Sequence, residues 1–209
     1  MSVAVESQPG YDVDDVPLVV RSAIKLGLTE AIIVFAFSLV SRYLDGTVEV
    51  VLEAVLLLIG LAAVSGLPGL WTKARTGSGI AAAAGIGLAA AVVFLAVDVV
   101  ALQPLGTYTN RWLEIGGGSN WWYHPVWWMV GTFLPWMGAV VLANQTAKSG
   151  APSIPGLMVR ATVFALLVGV AAVLIGFPGA SWNLATFGIA FLPGIGLAAL
   201  FSAMGRRRA

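Results

Sequence analysis

The chain has no cysteine and one histidine among its 209 residues, and only 10% of its residues are Asp, Glu, Lys or Arg. Without cysteine it can form no disulfide, no thiolate metal site and no thiol redox centre. The single histidine, His124, excludes paired-histidine haem ligation and a histidine-rich copper or iron centre built by this chain alone. The three lysines, Lys25, Lys73 and Lys148, fall near predicted helix ends, which disfavours a mid-membrane Schiff base to retinal. We therefore predict no metal and no cofactor.

The shortage of charge comes with an excess of apolar residues, since 59% of the chain is hydrophobic and the mean hydropathy is +0.92. Soluble domains are roughly 45–50% apolar and 25% charged, so the composition predicts an integral membrane protein. A chain of this length has room for about six spans of roughly 20 residues and none for a separate soluble domain. We expect a multi-pass protein of the cell (plasma or inner) membrane that contacts the lipid bilayer and no nucleic acid.

Six apolar segments predict an all-α, six-helix transmembrane bundle. They cover residues 18–40, 48–67, 80–102, 126–143, 157–177 and 184–204. The second is expected to stop at Gly66-Leu67-Pro68-Gly69, because proline and glycine together end a helix. The chain then divides into an acidic exposed tail (1–15), one membrane domain (16–205) and a basic C-terminus (206–209). Inside the membrane domain, a tryptophan-rich outer loop (103–125) separates a first half (16–102) from a second half (126–205).

The basic residues predict the orientation of the spans, because short cytoplasmic loops collect Lys and Arg. With the N-terminus inside, nine of the eleven basic residues fall on the cytoplasmic side, namely Arg21, Lys25, Lys73, Arg75, Lys148, Arg160 and Arg206 to Arg208. Only Arg42 and Arg111 then lie outside. Six spans and this segregation agree on both termini facing the cytoplasm.

An internal repeat relates residues 57–90 to residues 166–199 at an offset of 109. The best-matched segments, Gly79-Ile80-Ala81 and Gly85-Ile86-Gly87-Leu88-Ala89-Ala90, recur as Gly188-Ile189-Ala190 and Gly194-Ile195-Gly196-Leu197-Ala198-Ala199. The offset carries spans two and three onto spans five and six, a shift of three helices, so the two halves would be inverted. A 3+3 inverted-topology repeat is an architecture that many secondary transporters use. Spans one and four do not align, and their equivalence is inferred.

Small residues occupy every fourth position at the start of span three, at Gly79, Ala83, Gly87 and Ala91. Such a face lets another helix backbone approach closely. It is a candidate contact for other membrane subunits or for a second copy of the chain.

Acidic residues inside or bordering the spans are the main candidates for function, because a charge in hydrocarbon is costly and usually faces a cavity or a partner. The candidate ion or substrate path consists of Glu30, Glu53 and Asp98, and the candidate outer vestibule of Glu49, Arg111 and His124. The structural alternative is that Glu49 lies at the water interface. Under that alternative, Glu53 and Asp98 make structural hydrogen bonds or pair with Arg42 or Arg111.

Tryptophans concentrate around the outer loop, at Trp112, Trp121, Trp122, Trp127 and Trp128. Tryptophan prefers the headgroup level of a membrane, where its apolar body and its N–H group are both satisfied. An aromatic belt at the interface is therefore favoured over a ligand-stacking site.

Three functions are compatible with these features. The first is a transporter or channel for an ion or small solute, indicated by the inverted repeat, by Pro135 and Pro193 within spans, and by the acids at depth. The second is a non-catalytic structural or accessory subunit of a larger membrane complex. The third is an enzyme at the outer leaflet with Glu53, Asp98 and His124 as acid and base. No motif fixes a nucleophile, and we predict no catalytic residue.

Overall fold

All regular structure in the computed structural model is helical, and the structure describes residues 16–108 and 123–204, with side chains omitted at 123–125. The helices are α1 (Val16–Tyr43), α2 (Gly46–Trp71), α3 (Gly77–Val97), α4 (Tyr123–Ser149), α5 (Ile154–Leu174) and α6 (Leu184–Met204). Within these ranges, six helices are long and apolar enough to cross a membrane. The prediction of six apolar helical segments is confirmed. The acidic tail, residues 109–122 of the tryptophan-rich loop and the basic C-terminus lie outside the described residues.

The predicted end of the second span is wrong, because α2 continues through Pro68 to Trp71. Pro68 removes only the amide donor to the Val64 carbonyl. The helix continues beyond it, because both the amide and the hydroxyl of Thr72 donate to the Pro68 carbonyl at 3.0 Å. Pro68 and Gly69 are also buried, so packing holds the helix where local propensity would end it.

One helix ends in a π-helical turn that the apolar pattern does not predict. Beyond α3 the chain continues through Asp98–Leu102 with the wider π spacing, and the Gln103 amide donates to the Asp98 carbonyl at 2.9 Å. Single π-helical turns occur frequently at functional sites. The turn leads into Gln103–Tyr108, which closes one end of the bundle.

Helix α4 lies at the centre of the fold, where it packs against α2, α3 and α6. Helix α1 packs against α2 and α3, so α1 to α4 form a four-helix group. Helix α5 packs mainly along α6, and this pair joins the group chiefly through α6. The largest buried cluster, which includes Leu142, Leu157 and Ile195, fills the space between α4, α5 and α6.

Glycines allow four pairs of helices to cross at backbone contact. A β-carbon added at Gly27 would lie 2.7 Å from the Ala90 carbonyl oxygen, and one at Gly194 would lie 2.6 Å from the Ala165 amide nitrogen. A β-carbon at Gly87 would overlap the Gly131 carbonyl oxygen. One at Gly138 would overlap the Ser65 carbonyl oxygen. These contacts fix α1 on α3, α5 on α6, α3 on α4, and α2 on α4.

The small-residue face of α3 is buried against other parts of the same chain. Gly79, Ala83, Gly87 and Ala91 are all buried. Gly87 and Ala91 contact Gly131 of α4, and Ala83 shares a buried cluster with Ala139 of the same helix. The pattern therefore predicts a close helix approach correctly, but α4 occupies the face. A second copy or another subunit would have to bind elsewhere.

The two halves of the predicted repeat pack differently. A two-fold axis relating 16–102 to 126–205 would pair α1 with α4, α2 with α5 and α3 with α6. Helix α4 contacts α2 and α3, whereas in the described residues α1 contacts neither α5 nor α6. Helices α5 and α6 also pack far more extensively on each other than α2 and α3 do. The repeat stays a prediction from sequence, and the helix packing lends it no support.

The two ends of the bundle differ in charge. At one end, the Lys148 ammonium donates to the Ser202 carbonyl at 2.8 Å, and Lys73 and Arg75 follow α2 beside Thr146. We call this the basic end. At the opposite end, the Arg42 guanidinium donates to the Gly106 carbonyl, which ties the end of α1 to the segment that follows α3. Glu49 lies in the first turn of α2 at this end, which we call the acidic end.

Candidate functional site

Two glutamates of α2 lie on the face that this helix turns toward α1. Glu49 and Glu53 are only 5% and 3% exposed. Residues 49, 53, 60 and 67 fall within about 40° of one another at 3.6 residues per turn, so all four share one face of the helix. A β-carbon at Gly60 would lie 3.5 Å from the Ile33 side chain of α1. Leu67 packs against the cluster that contains Leu26 of α1. Glu49 and Glu53 therefore continue the contact face between α1 and α2 toward the acidic end.

A third glutamate approaches the same contact from α1. Glu30 is half-buried and lies on one helix face between Leu26, one turn before it, and Ile33, one turn after it. Because Leu26 and Ile33 both pack toward α2, Glu30 lies beside α2 about one turn nearer the basic end than Gly60, near the level of Ala63. Glu53 is ten residues from Ala63, which places it about 15 Å nearer the acidic end. We call Glu30, Glu49 and Glu53 the acidic seam.

Asp98 forms a separate polar site at the end of α3. It is fully buried, and both of its carboxylate oxygens accept hydrogen bonds, from the Gln103 amide at 2.7 Å and from the Tyr108 hydroxyl at 2.5 Å. It follows Gly87, Ala91 and Phe94 on the stripe of α3 that faces α4. Asp98 therefore faces the start of α4, away from the contact between α1 and α2.

The segment Gln103–Tyr108, which we call the cap, joins α1 to α3 at the acidic end. The Ser38 hydroxyl donates to the Thr107 carbonyl, and the Arg42 guanidinium donates to the Gly106 carbonyl. Thr107 is 2% exposed. With the two bonds to Asp98, these contacts hold the cap over the ends of both helices. Asp98 thus has a structural role that accounts for its burial.

Removing the Tyr108 hydroxyl tests this role. The Tyr108→Phe substitution leaves one oxygen of the buried Asp98 carboxylate with one donor fewer, and we expect it to lower the free energy of unfolding by about 1–3 kcal/mol. Faster amide exchange within Gln103–Tyr108 should accompany the loss. Denaturant unfolding and hydrogen exchange in detergent measure both. Tyr43→Phe is the matched control, since Tyr43 is 71% exposed. Equal stability of the two variants would contradict a structural role for the Tyr108 hydroxyl.

The predicted site residues divide into three groups. Glu30, Glu49 and Glu53 share the contact between α1 and α2, whereas Asp98 lies apart from them. Trp127 is half-buried with its ring 5.1 Å from that of Phe94, and Trp128 is 47% exposed on the outer surface. Outside the described residues are Arg111, Trp112, Trp121 and Trp122, and the side chain of His124 is not described either. The outer vestibule therefore stays a prediction.

Several buried polar groups are not predicted from the sequence. Ser38 and Ser41 are 2% and 1% exposed, and both lie on the buried side of α1. At the basic end, the Asn144 amide donates to the Ser202 hydroxyl at 2.8 Å, and the Gln145 side chain accepts the Ser153 amide at 2.8 Å. Adjacent amides near the end of an apolar span were the signal that could have pointed to this second network. These hydrogen bonds link the ends of α4, α5 and α6.

In the part of the chain that the structure describes, no group of three or more His, Asp or Glu side chains is arranged to hold a metal ion. The seam carboxylates are instead spread along two helices, with Glu49 and Glu53 one turn apart on α2 and Glu30 on α1.

No family model, no curated protein and no solved structure matches this chain. The function is therefore argued from the residues and contacts of the chain itself.

Proposed function

We propose that this chain is a small transporter or channel for an ion or small solute and that the acidic seam forms part of its path. The observation that supports this most is the placement of Glu30, Glu49 and Glu53 along one contact between two helices long enough to cross a membrane. A carboxylate in the hydrocarbon region is costly and is retained mainly where it serves a pathway, a relay or a partner.

The spacing along the seam gives a direction to the path. Glu49 lies in the first turn of α2, Glu53 one turn deeper, and Glu30 beside α2 about 15 Å beyond Glu53. A proton or small cation entering at Glu49 would therefore meet Glu53 within one helical turn and Glu30 near the middle of the bundle. A carboxyl group can carry a proton or accept a cation at each of these positions.

The orientation of the path follows from the basic residues. We propose that the basic end faces the cytoplasm and that both termini lie there, because Lys73, Arg75 and Lys148 gather at that end and positive residues favour the cytoplasmic side. Glu49 then opens toward the outside. The proposed 3+3 repeat contributes no second acidic path, since Glu49 and Glu53 correspond to Met158 and Thr162.

Flux measurements on purified protein in liposomes test the proposal. Vesicles containing the protein should dissipate a gradient of protons or of a monovalent cation faster than protein-free vesicles, and small neutral solutes should be tested in parallel. Flux equal to that of protein-free vesicles for every ion and solute would remove the transport function.

A subunit of a larger membrane complex is the second candidate, and a groove on the outside of the bundle favours it. The groove has a volume of about 440 Å³ and runs along the end of α3 and the π-helical turn that follows it, where Val92, Val99 and Val100 line it with Trp128 of α4. Its apolar lining matches the side of another membrane helix. Native mass spectrometry of protein extracted from its own membrane distinguishes the two candidates, because a lone monodisperse protein would count against a subunit.

The enzyme hypothesis has the least support. Both oxygens of Asp98 are engaged by Gln103 and Tyr108, and Glu53 faces α1 on another side of the bundle. We therefore propose no acid and base pair for these residues.

A further inference from the structure

The basic end holds a small cavity that the transport path does not use. It has a volume of about 60 Å³ and lies between the end of α2, the last third of α4 and the connection to α5. Leu70, Lys73, Arg75, Leu142, Thr146 and Pro152 contribute to its lining. A liquid water molecule occupies about 30 Å³, so the cavity has room for about two water-sized groups, such as two oxygens of a phosphate.

The turn after α2 brings two cations to the cavity in a fixed backbone conformation. The Lys73 amide donates to the Leu70 carbonyl at 3.1 Å, and the Ala74 amide donates to the Gly69 carbonyl at 2.9 Å. Lys73 has a φ of 46°, the only positive φ at a residue other than glycine among the described residues. A lysine held in this conformation is unusual, because left-handed backbone disfavours side chains with a β-carbon.

The electrostatic environment of the cavity favours an anion. Basic side chains that also lie toward this end are Arg21, Lys25, Lys148 and Arg160. The acidic side chains that the structure describes, Glu30, Asp45, Glu49, Glu53 and Asp98, lie in the middle of the bundle or toward the acidic end. Among the described residues, an anionic group between Lys73 and Arg75 would therefore lie at the end where basic side chains outnumber acidic ones.

The position and lining of the cavity distinguish a lipid from a free anion. The cavity opens where membrane-spanning helices end, which is the level of the lipid headgroups. Its cations stand beside the apolar side chains of Leu70, Leu142 and Pro152, so one site can accept both a phosphate and the adjoining apolar part of the same molecule. We propose that this cavity binds the headgroup phosphate of an anionic phospholipid of the cytoplasmic leaflet. Basic pockets between helices on that side of a membrane bind such headgroups. The proposal is independent of the transport function.

Thermal unfolding of the full chain in a mild detergent tests the site. Short-chain phosphatidylglycerol at about ten times its dissociation constant should raise Tm by about 3–6 °C, and phosphatidylcholine should not. The double variant Lys73→Asn, Arg75→Gln should lose most of this shift. Asparagine is used because it tolerates left-handed backbone, so the loss of charge is not confounded by added strain. Unfolding without lipid shows that the double variant is folded.

Two controls decide the source and the location of binding. Arg160→Gln removes an exposed cation toward the same end that does not line the cavity, and it should keep the shift. Inorganic phosphate alone should leave Tm unchanged. The proposal is overturned by an equal shift with phosphatidylcholine, by an equal loss in Arg160→Gln, or by a full shift with inorganic phosphate, which would indicate a site for the free ion.

Discussion

Liposomes containing the Glu53→Gln or the Glu30→Gln variant are expected to show a flux at least about tenfold lower than liposomes with the unmodified chain. A rise of about 1.4 kcal/mol in the activation free energy for passage at one carboxylate lowers the rate tenfold. Glutamine keeps the size of glutamate and its capacity for hydrogen bonding, but it can neither carry a proton nor neutralise a cation. Glu53 is 3% exposed, so its carboxylate is enclosed by the contact between α1 and α2. Reconstitution at equal protein content and an initial-rate measurement give the comparison.

Two other acids serve as controls for this experiment. Asp45→Asn changes an exposed residue between α1 and α2 and should leave the flux unchanged. Asp98→Asn should lower stability through the cap, with any loss of flux following the loss of folded protein. The sequence alone places Asp98 in the path, and its two hydrogen bonds now argue for a structural role. Unchanged flux in both folded variants, Glu30→Gln and Glu53→Gln, would remove the acidic seam from the path.

The Gly138→Ala substitution is expected to destabilise the fold by about 3 kcal/mol, the upper end of the usual range for overpacking a core. The new β-carbon would overlap the Ser65 carbonyl oxygen and lie 2.7 Å from the carbonyl carbon. Both are backbone atoms, so no side chain can rotate away, and α2 would have to move from α4. Because α4 packs against three other helices, the shift would spread through the bundle. Denaturant unfolding in detergent measures the loss.

Gly85→Ala is the matched control for this prediction. Gly85 is also a glycine inside a helix long and apolar enough to cross a membrane, but a β-carbon there would have no neighbour within 4 Å. Alanine is up to about 1 kcal/mol more favourable than glycine in a helix interior. Gly85→Ala should therefore be neutral or stabilising. Similar losses in Gly138→Ala and Gly85→Ala would contradict the close crossing of α2 and α4.

The helices themselves were readable from sequence, because the length and apolarity of a membrane span are local properties. The ends of the helices were harder to predict. At Pro68 local propensity predicts a stop, whereas the hydrogen bonds from Thr72 to the Pro68 carbonyl and burial beside α4 continue the helix to Trp71. The stripe from Gly79 to Ala91 likewise indicates a close approach but not its partner, since spacing along one helix contains no information about which helix will face it.

The candidate site was predicted residue by residue, but its grouping was not. A glutamate in an apolar segment is visible in a sequence, so Glu30, Glu49 and Glu53 could be named. That Glu30 shares a contact with the α2 acids depends on how α1 crosses α2 at Ile33 and Gly60, which is a tertiary fact. The separation of Asp98 has the same origin, because the π-helical turn and the cap supply its donors.

The reactivity of single cysteines placed along α2 tests the central claim most directly, and the natural absence of cysteine makes each variant unambiguous. A charged thiol reagent reacts with the thiolate and therefore needs water beside the sulfur. Leu56 lies on the seam face between Glu53 and Gly60, whereas Leu58 and Ile59 are 42% and 51% exposed on the outer surface of the bundle. If the seam is a hydrated path, Leu56→Cys reacts with reagent added from outside while Leu58→Cys and Ile59→Cys stay unmodified in the lipid. A Leu56→Cys variant as unreactive as these two would contradict a path along the contact between α1 and α2.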